Sequence, residues 1–158
     1  MKKKILFVCL GNICRSPAAE GIMRHMADNR RLSHLFEIDS CGIGPWHVGE
    51  LPDARMRQHA FRHGYRLTHH ARQIVPEDFS RFDHIFVMDR NNYQALSKIA
   101  PDRKAFEKVE IIAQYLTHHP HVKEVPDPYY GGEDDFEYAI ELLEDACAEI
   151  IERTSITN

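Results

Sequence analysis

The chain has 158 residues with 43% hydrophobic content, enough for one domain spanning 1–158 with a sizeable core and too little for a second. Its formal net charge of −4 argues against a general nucleic-acid binder. No apolar run approaches membrane-spanning length, and Met1-Lys2-Lys3-Lys4 precedes too few apolar residues for a signal peptide, so a cytoplasmic protein is expected.

Ile5 to Val8 is a short continuous apolar run, which predicts a strand buried on both faces, as in a parallel sheet. The strand ends at Cys9. Ser16 is a good helix N-cap, Pro17 suits a first helical turn, and Ala18, Ala19 and Glu20 are helix formers. The loop between, with Gly11 and Asn12 inside it, closes onto a helix N-terminus where free N–H groups and the helix dipole favour an anion such as phosphate. A thiol in that cradle beside the Arg15 guanidinium is expected to be a thiolate nucleophile, and the planar fork of Arg15 can hold two phosphoryl oxygens. Alone, the Cys9 to Arg15 spacing fits a core cysteine and a surface charge equally well; the preceding strand and the Ser-Pro helix start shift the balance to the site.

The helix from Pro17 to Asn29 places Ala19, Ile22, Met23 and Met26 on one stripe. Phe36 to Ser40 alternates apolar and polar and predicts an edge-like strand, with a loop beginning at Ser40. The Gly- and Pro-rich stretch Cys41 to Pro52 surrounds the single tryptophan, Trp46, as either packing filler or binding surface. Asp53 to His63 predicts a helix with Met56, Ala60 and Phe61 inward and Gly64 as its C-terminal cap. Pro76 to Phe79 starts a short helical turn, His84 to Met88 is a third strand, Asp89 caps a helix with Tyr93 and Leu96 inward, and Val109 to Ile112 is a fourth strand. This order predicts an α/β fold of three layers, a four-stranded parallel sheet with helices on both faces, with ligands at the carboxyl ends of the strands.

Val125 to Gly132 interrupts the pattern before a long final helix with Phe136, Ile140, Leu143, Cys147 and Ile150 at helical spacing. Prolines flank Asp127 and restrict its backbone, so its carboxyl can be held in place as a proton donor for a departing oxygen and then as a base toward water. An Asp-Pro turn explains the residue as simply.

The chain resembles the low-molecular-weight protein tyrosine phosphatases over nearly its whole length, through CLGNICRSP at Cys9 to Pro17 and DPYYG at Asp127 to Gly131. Further matches are Asp39-Ser40, Trp46-His47-Val48-Gly49, Ala71-Arg72-Gln73 and Val87-Met88-Asp89. The resemblance implies a flavodoxin-like sheet and a cofactor-free, metal-free hydrolase of phosphotyrosine and small aryl phosphates working through a phosphocysteine. Cys9 would be the nucleophile, Arg15 the phosphate clamp and Asp127 the general acid and base. Leu10, Gly11, Asn12, Ile13, Cys14, Arg15 and Ser16 would bind the phosphate. Asn12, Ser16, Ser40 and His69 would support the loop and lower the thiol pKa, though His69-His70 offers two candidate rings. Leu10, Ile13, Trp46, Tyr129 and Tyr130 would line the slot for the phosphotyrosine ring. Phosphotyrosine-containing proteins are the implied substrates, phosphate-like oxyanions the implied inhibitors, and a monomer or weak dimer the expected state.

Cys14 shares the loop with Cys9, so the two sulfurs are candidates for a reversible disulfide that guards an oxidised Cys9; packing as a small apolar residue is the alternative. Thiol-dependent arsenate reductases use a similar loop with further relay cysteines, and residues 42 to 146 here contain none. Protein-arginine phosphatases of the same family commonly carry threonine at the position of Ile13, where an apolar side chain favours an aromatic ring. Four irregularly spaced cysteines do not make a disulfide scaffold or a zinc site. His118, His119 and His121 lack a cysteine or acid at ligand spacing, which favours a solvated turn over a metal site.

Overall fold

The computed structural model describes residues 1–156. The apolar run becomes β1 (Lys3–Cys9), whose Ile5, Leu6, Phe7 and Val8 are wholly buried. Alternation along the strand sends Ile5 and Phe7 into one core and Leu6 and Val8 into another on the opposite face. β2 (Phe36–Gly42) pairs parallel to β1 in register from Lys3 with Phe36 to Cys9 with Gly42. On the other side of β1 lies β3 (His84–Val87), followed by β4 (Val109–Ile111). The sheet order is β2-β1-β3-β4, all parallel.

This order creates the crevice. The chain leaves β1 for β2 on one side and later returns to place β3 on the other, so the connections diverge at the carboxyl end of β1. Cys9 is the last residue of that strand.

The first core is closed by α1 (Arg15–Asn29), α2 (Ala54–Arg62) and the long α6 (Glu133–Ser155). Phe136, Ile140, Leu143, Cys147 and Ile150 of α6 are all buried, as their spacing predicted. At roughly 1.5–3 kcal/mol for each large apolar side chain removed from water, this stripe is a main anchor of the fold. The second core is covered by α3 (Asp78–Arg81), α4 (Arg90–Ile99) and α5 (Arg103–Phe106). Asp53 caps α2 by accepting from the Arg55 N–H, Asp89 caps α4 by accepting from the Asn92 N–H, and Gly64 ends α2 in the left-handed region at φ +92°.

Four local expectations change. Ser16 is not the N-cap of α1: Cys14 holds that position and the Ser16 hydroxyl turns back into the loop. β2 runs on through Ser40 to Gly42, because those residues pair with Phe7 to Cys9 and Gly42 also bridges to Gln73. Phe61 faces solvent, since the buried face of α2 is made by Met56, His59 and Ala60. The short α5 and the 3-10 turns at Ser33–Leu35 and Ile112–Tyr115 went unpredicted, being too brief to show a period. Among the described residues no helix is long and apolar enough to cross a membrane.

Candidate active site

The loop from Cys9 to Ser16 is shaped from outside. The carbonyls of Cys9, Leu10 and Ile13 accept from the N–H groups of Ile43 at 3.0 Å, Gly44 at 3.0 Å and Asp53 at 2.8 Å. In a trans peptide the N–H points opposite the carbonyl, so each outward carbonyl turns the next residue's N–H, those of Leu10, Gly11 and Cys14, toward the loop's interior. Asn12 takes the left-handed region at φ 58°, which asparagine tolerates better than most residues. Gly42 backs the loop so closely that a Cβ there would lie 2.9 Å from Asn12 N and Gly11 C.

Buried side chains lock this shape. Asn12 Nδ2 donates to Ser16 Oγ at 2.8 Å and to Ser40 Oγ at 3.1 Å, while its Oδ1 meets His69 Nε2 at 3.0 Å and accepts from Arg72 N–H at 3.0 Å. His69 is therefore the ring that faces the loop, and His70 is exposed. Ser40 Oγ donates to Glu20 Oε1 at 2.7 Å. At the centre, Cys9 Sγ lies 3.0 Å from Ser16 Oγ and accepts from the Ser16 N–H at 3.4 Å.

Arg15 is 2% exposed. Its Nη1 donates to Asp89 Oδ2 at 2.7 Å and to the Val125 carbonyl at 2.9 Å, and its Nη2 stands 3.5 Å from Asp127 Oδ2. Burial alone would lower its pKa; Cys9, Asp89 and Asp127 outweigh that and keep it charged. The same segment is docked from the other end, because Val125 N–H donates to the Met88 carbonyl at 2.9 Å, just beyond β3. Asp127 then projects over the loop, with Oδ1 accepting from Tyr129 N–H at 3.1 Å.

These groups share one open cleft of about 350 Å³ lined by Cys9, Leu10, Gly11, Ile13, Cys14, Arg15, Trp46, His47, Asp127, Tyr129 and Tyr130. Trp46 is 64% exposed and folded over Gly44, so it forms a rim of the cleft and does not fill the core. A strand-end thiol, inward N–H groups, a buried arginine and a carboxyl facing them across an aromatic-walled slot suit in-line transfer of a phosphoryl group to sulfur.

Sequence reasoning assigned no site role to Asp89, Glu20, Arg72, His47 or Arg55. Asp89 and Arg72 lie inside motifs that carry the resemblance, but the partners that tie them to the site, Arg15 and Asn12, are 74 and 60 residues away. Glu20 looked like an ordinary helix former. Among the described residues Glu20, Asp39 and His69 are the grouping whose ligand atoms stand close enough for a cation. Arg24 and Arg72 already pair with those carboxylates. At the His118 to His121 turn, the acid missing from the local spacing is Asp145 of α6, whose Oδ2 lies 2.9 Å from His119 Nδ1.

A parallel sheet bearing a thiol and an arginine on a phosphate-sized loop, opposed by an acid, defines a class of thiol-based phosphatases. Residues 4–157 match the family model described as low molecular weight phosphotyrosine protein phosphatase. The chain is 43% identical over 150 residues to the low molecular weight protein-tyrosine-phosphatase of Streptomyces coelicolor, covering 92% of this chain and 90% of that one. It is 37% identical over 152 residues to the Homo sapiens low molecular weight phosphotyrosine protein phosphatase, covering 96% and 95%. The crystal structure of a product state mimic of the Entamoeba histolytica protein tyrosine phosphatase superposes with a TM-score of 0.93 at 39% identity, covering 99% and 98%. The chain belongs to the low molecular weight phosphotyrosine protein phosphatase family, and it is an enzyme of that class.

Proposed function

We propose that the protein hydrolyses phosphotyrosine in proteins, and small aryl phosphates, in two steps through a phosphocysteine. Cys9 Sγ attacks phosphorus while the bond to the aryl oxygen breaks, and Asp127 gives its proton to that oxygen. Asp127, now a carboxylate, takes a proton from water as the water oxygen attacks phosphorus and frees the Cys9 sulfur. Arg15 and the inward N–H groups of the loop hold the phosphoryl oxygens throughout. Ser16 steadies the sulfur, and Asn12, Ser40 and His69 hold the loop in its receiving shape.

The single observation that carries this reading is the convergence of Cys9, Arg15 and Asp127, from β1, α1 and the loop before α6, on one cleft. The apolar Ile13 and the rings of Trp46, Tyr129 and Tyr130 suit a flat aromatic leaving group more than a guanidinium. A cytoplasmic setting, where phosphotyrosine proteins and reduced thiols occur together, fits the four free cysteines.

The test is a paired assay on phosphotyrosine and phosphoarginine peptides with wild type, Cys9→Ser and Asp127→Asn. Cys9→Ser is expected to abolish turnover, and Asp127→Asn to slow aryl phosphate hydrolysis by about 10²-fold or more. Full activity in Cys9→Ser would sink the mechanism, and a preference for phosphoarginine would overturn the substrate class.

A further inference from the structure

The acid Asp127 and the phosphate loop lie on separate loops far apart in the chain, and a proton donor misplaced by an ångström loses much of its effect. Besides Arg15, one continuous chain of bonds registers the two loops, and it passes through the start of α2. The Ile13 carbonyl of the phosphate loop accepts from Asp53 N–H at 2.8 Å. The Asp53 carboxylate holds Arg55 through two bonds, Nε to Oδ1 at 3.1 Å and Nη2 to Oδ2 at 2.9 Å. Arg55 Nη2 also donates to the Tyr129 carbonyl at 3.0 Å. Tyr129 N–H in turn holds Asp127 Oδ1.

The guanidinium is also fixed by rings, 5.4 Å from the Tyr129 centroid and 4.8 Å from that of Phe136. Gly131 keeps the same turn tight, since a Cβ there would meet Asp135 Oδ2 at 2.2 Å. Burial would raise the Asp53 carboxyl, and the bonds from Arg55 pull it below its usual range, so the fork stays ionic.

We infer that Arg55 is a positioning residue for proton transfer, setting Asp127 against the leaving oxygen by holding the backbone of Tyr129 in register with the phosphate loop. It touches neither the phosphoryl group nor the leaving oxygen; it acts through Asp127. The inference rests on the proposed role of Asp127. Its signature is a loss that grows as the leaving group becomes harder to expel, because only a poor leaving group needs the proton.

The experiment measures kcat/KM toward phenyl phosphate and 2,4-dinitrophenyl phosphate for wild type, Arg55→Gln, Arg55→Lys, Asp127→Asn and the double variant Arg55→Gln/Asp127→Asn. kcat/KM reports the step in which the aryl oxygen departs. Arg55→Gln is expected to lower the phenyl phosphate value by about 10-fold and the dinitrophenyl value by less than about 3-fold, with Arg55→Lys between it and wild type. The double variant is expected to be no slower than Asp127→Asn alone, since the two residues act in series. The rate of Cys9 alkylation by iodoacetate should be unchanged in Arg55→Gln, which separates this role from a collapse of the phosphate loop. Should Arg55→Gln not fold, Arg55→Lys carries the same comparison. Equal losses on both substrates, or additive losses in the double variant, would overturn the inference while leaving the proposed mechanism intact. Absence of leaving-group dependence in Asp127→Asn itself would overturn both.

Discussion

Arg15 and Asp89 are 74 residues apart in the chain and meet at 2.7 Å, and the two oxygens of Asp89 do different work. Oδ2 takes the Arg15 guanidinium, while Oδ1 takes the Asn92 N–H at 2.7 Å and starts α4. One carboxylate thus ties Arg15 to a helix that lies on the second core.

Asparagine offers one oxygen for these two tasks and turns an N–H₂ group toward the other. Asp89→Asn is therefore expected to cost about 2 kcal/mol of stability and to lower kcat/KM by about 10-fold or more, because either the helix cap or the Arg15 tether is lost. Denaturant unfolding and aryl phosphate kinetics on the same preparation check this. A variant that keeps full stability and full activity would show that the pairing holds neither element.

Gly42 is required by closeness, not by conformation. In Gly42→Ala the new methyl would press on the backbone of Gly11 and Asn12, which cannot rotate aside, so the phosphate loop must shift. We expect a loss of about 10-fold in kcat/KM with a destabilisation of about 1–3 kcal/mol. Gly132→Ala, whose Cβ would meet nothing within 4 Å, serves as the comparison and should leave kcat/KM unchanged, with a loss of stability of about 1 kcal/mol or less because Gly132 is the N-cap of α6.

Cys14 is buried and, with Asp53 nearby, its thiol is pushed well above the usual range, chiefly by burial. If Cys9 is oxidised to a sulfenic acid, Cys14 must lose its proton before its sulfur attacks that of Cys9 and expels water to form a disulfide. Disulfide formation after peroxide treatment is thus expected to quicken by about tenfold per pH unit between pH 6 and 9. Without that disulfide the sulfenic acid stays open to further oxidation, so under sustained peroxide Cys14→Ser should pass to the sulfinic acid and regain less activity with dithiothreitol than wild type. Mass spectrometry of the oxidised chain follows both, and a pH-independent rate or full recovery in Cys14→Ser would remove Cys14 from this role.

Asp145 binds the 117–119 turn to α6, accepting from Thr117 N–H and Oγ1, from His118 N–H and, at Oδ2, facing His119 Nδ1. Burial would raise its pKa, yet these donors lower it to about 2. A depressed carboxyl stabilises the fold above its unfolded pKa of about 3.9, and the contribution fades as pH falls toward 2. Asp145→Asn is expected to be about 2 kcal/mol less stable than wild type at pH 7, with the gap closing between pH 4 and 2. Urea unfolding of both proteins across that range gives the answer, and a constant gap would contradict it.

Much of the fold was legible because its signals are local. The buried run Ile5 to Val8, the stripe of α6 and the capping residues Gly64 and Asp89 depend on neighbours within a turn or two, and each appears where expected. Ser16 misled because a hydroxyl before a proline marks a helix start equally whether it caps the helix or faces a thiol. Phe61 misled because a charged-looking histidine, His59, took the inward place by meeting Glu137 at 2.7 Å and stacking on Phe136.

The residues proposed to bear the chemistry were named from sequence, Cys9 and Arg15 by type, spacing and strand and loop context, and Asp127 through the family resemblance, since its proline-flanked context fits a turn as simply. Tertiary structure decided everything that needs two distant segments to touch. It chose His69 over His70, put Trp46 on the rim of the cleft, gave Arg15 its partner in Asp89, and linked Asp127 to the phosphate loop through Arg55. Local pattern fixes which groups a chain can offer, whereas a hydrogen bond of about 3 Å between residues many positions apart exists only once the sheet order and the packing of the helices have brought them together.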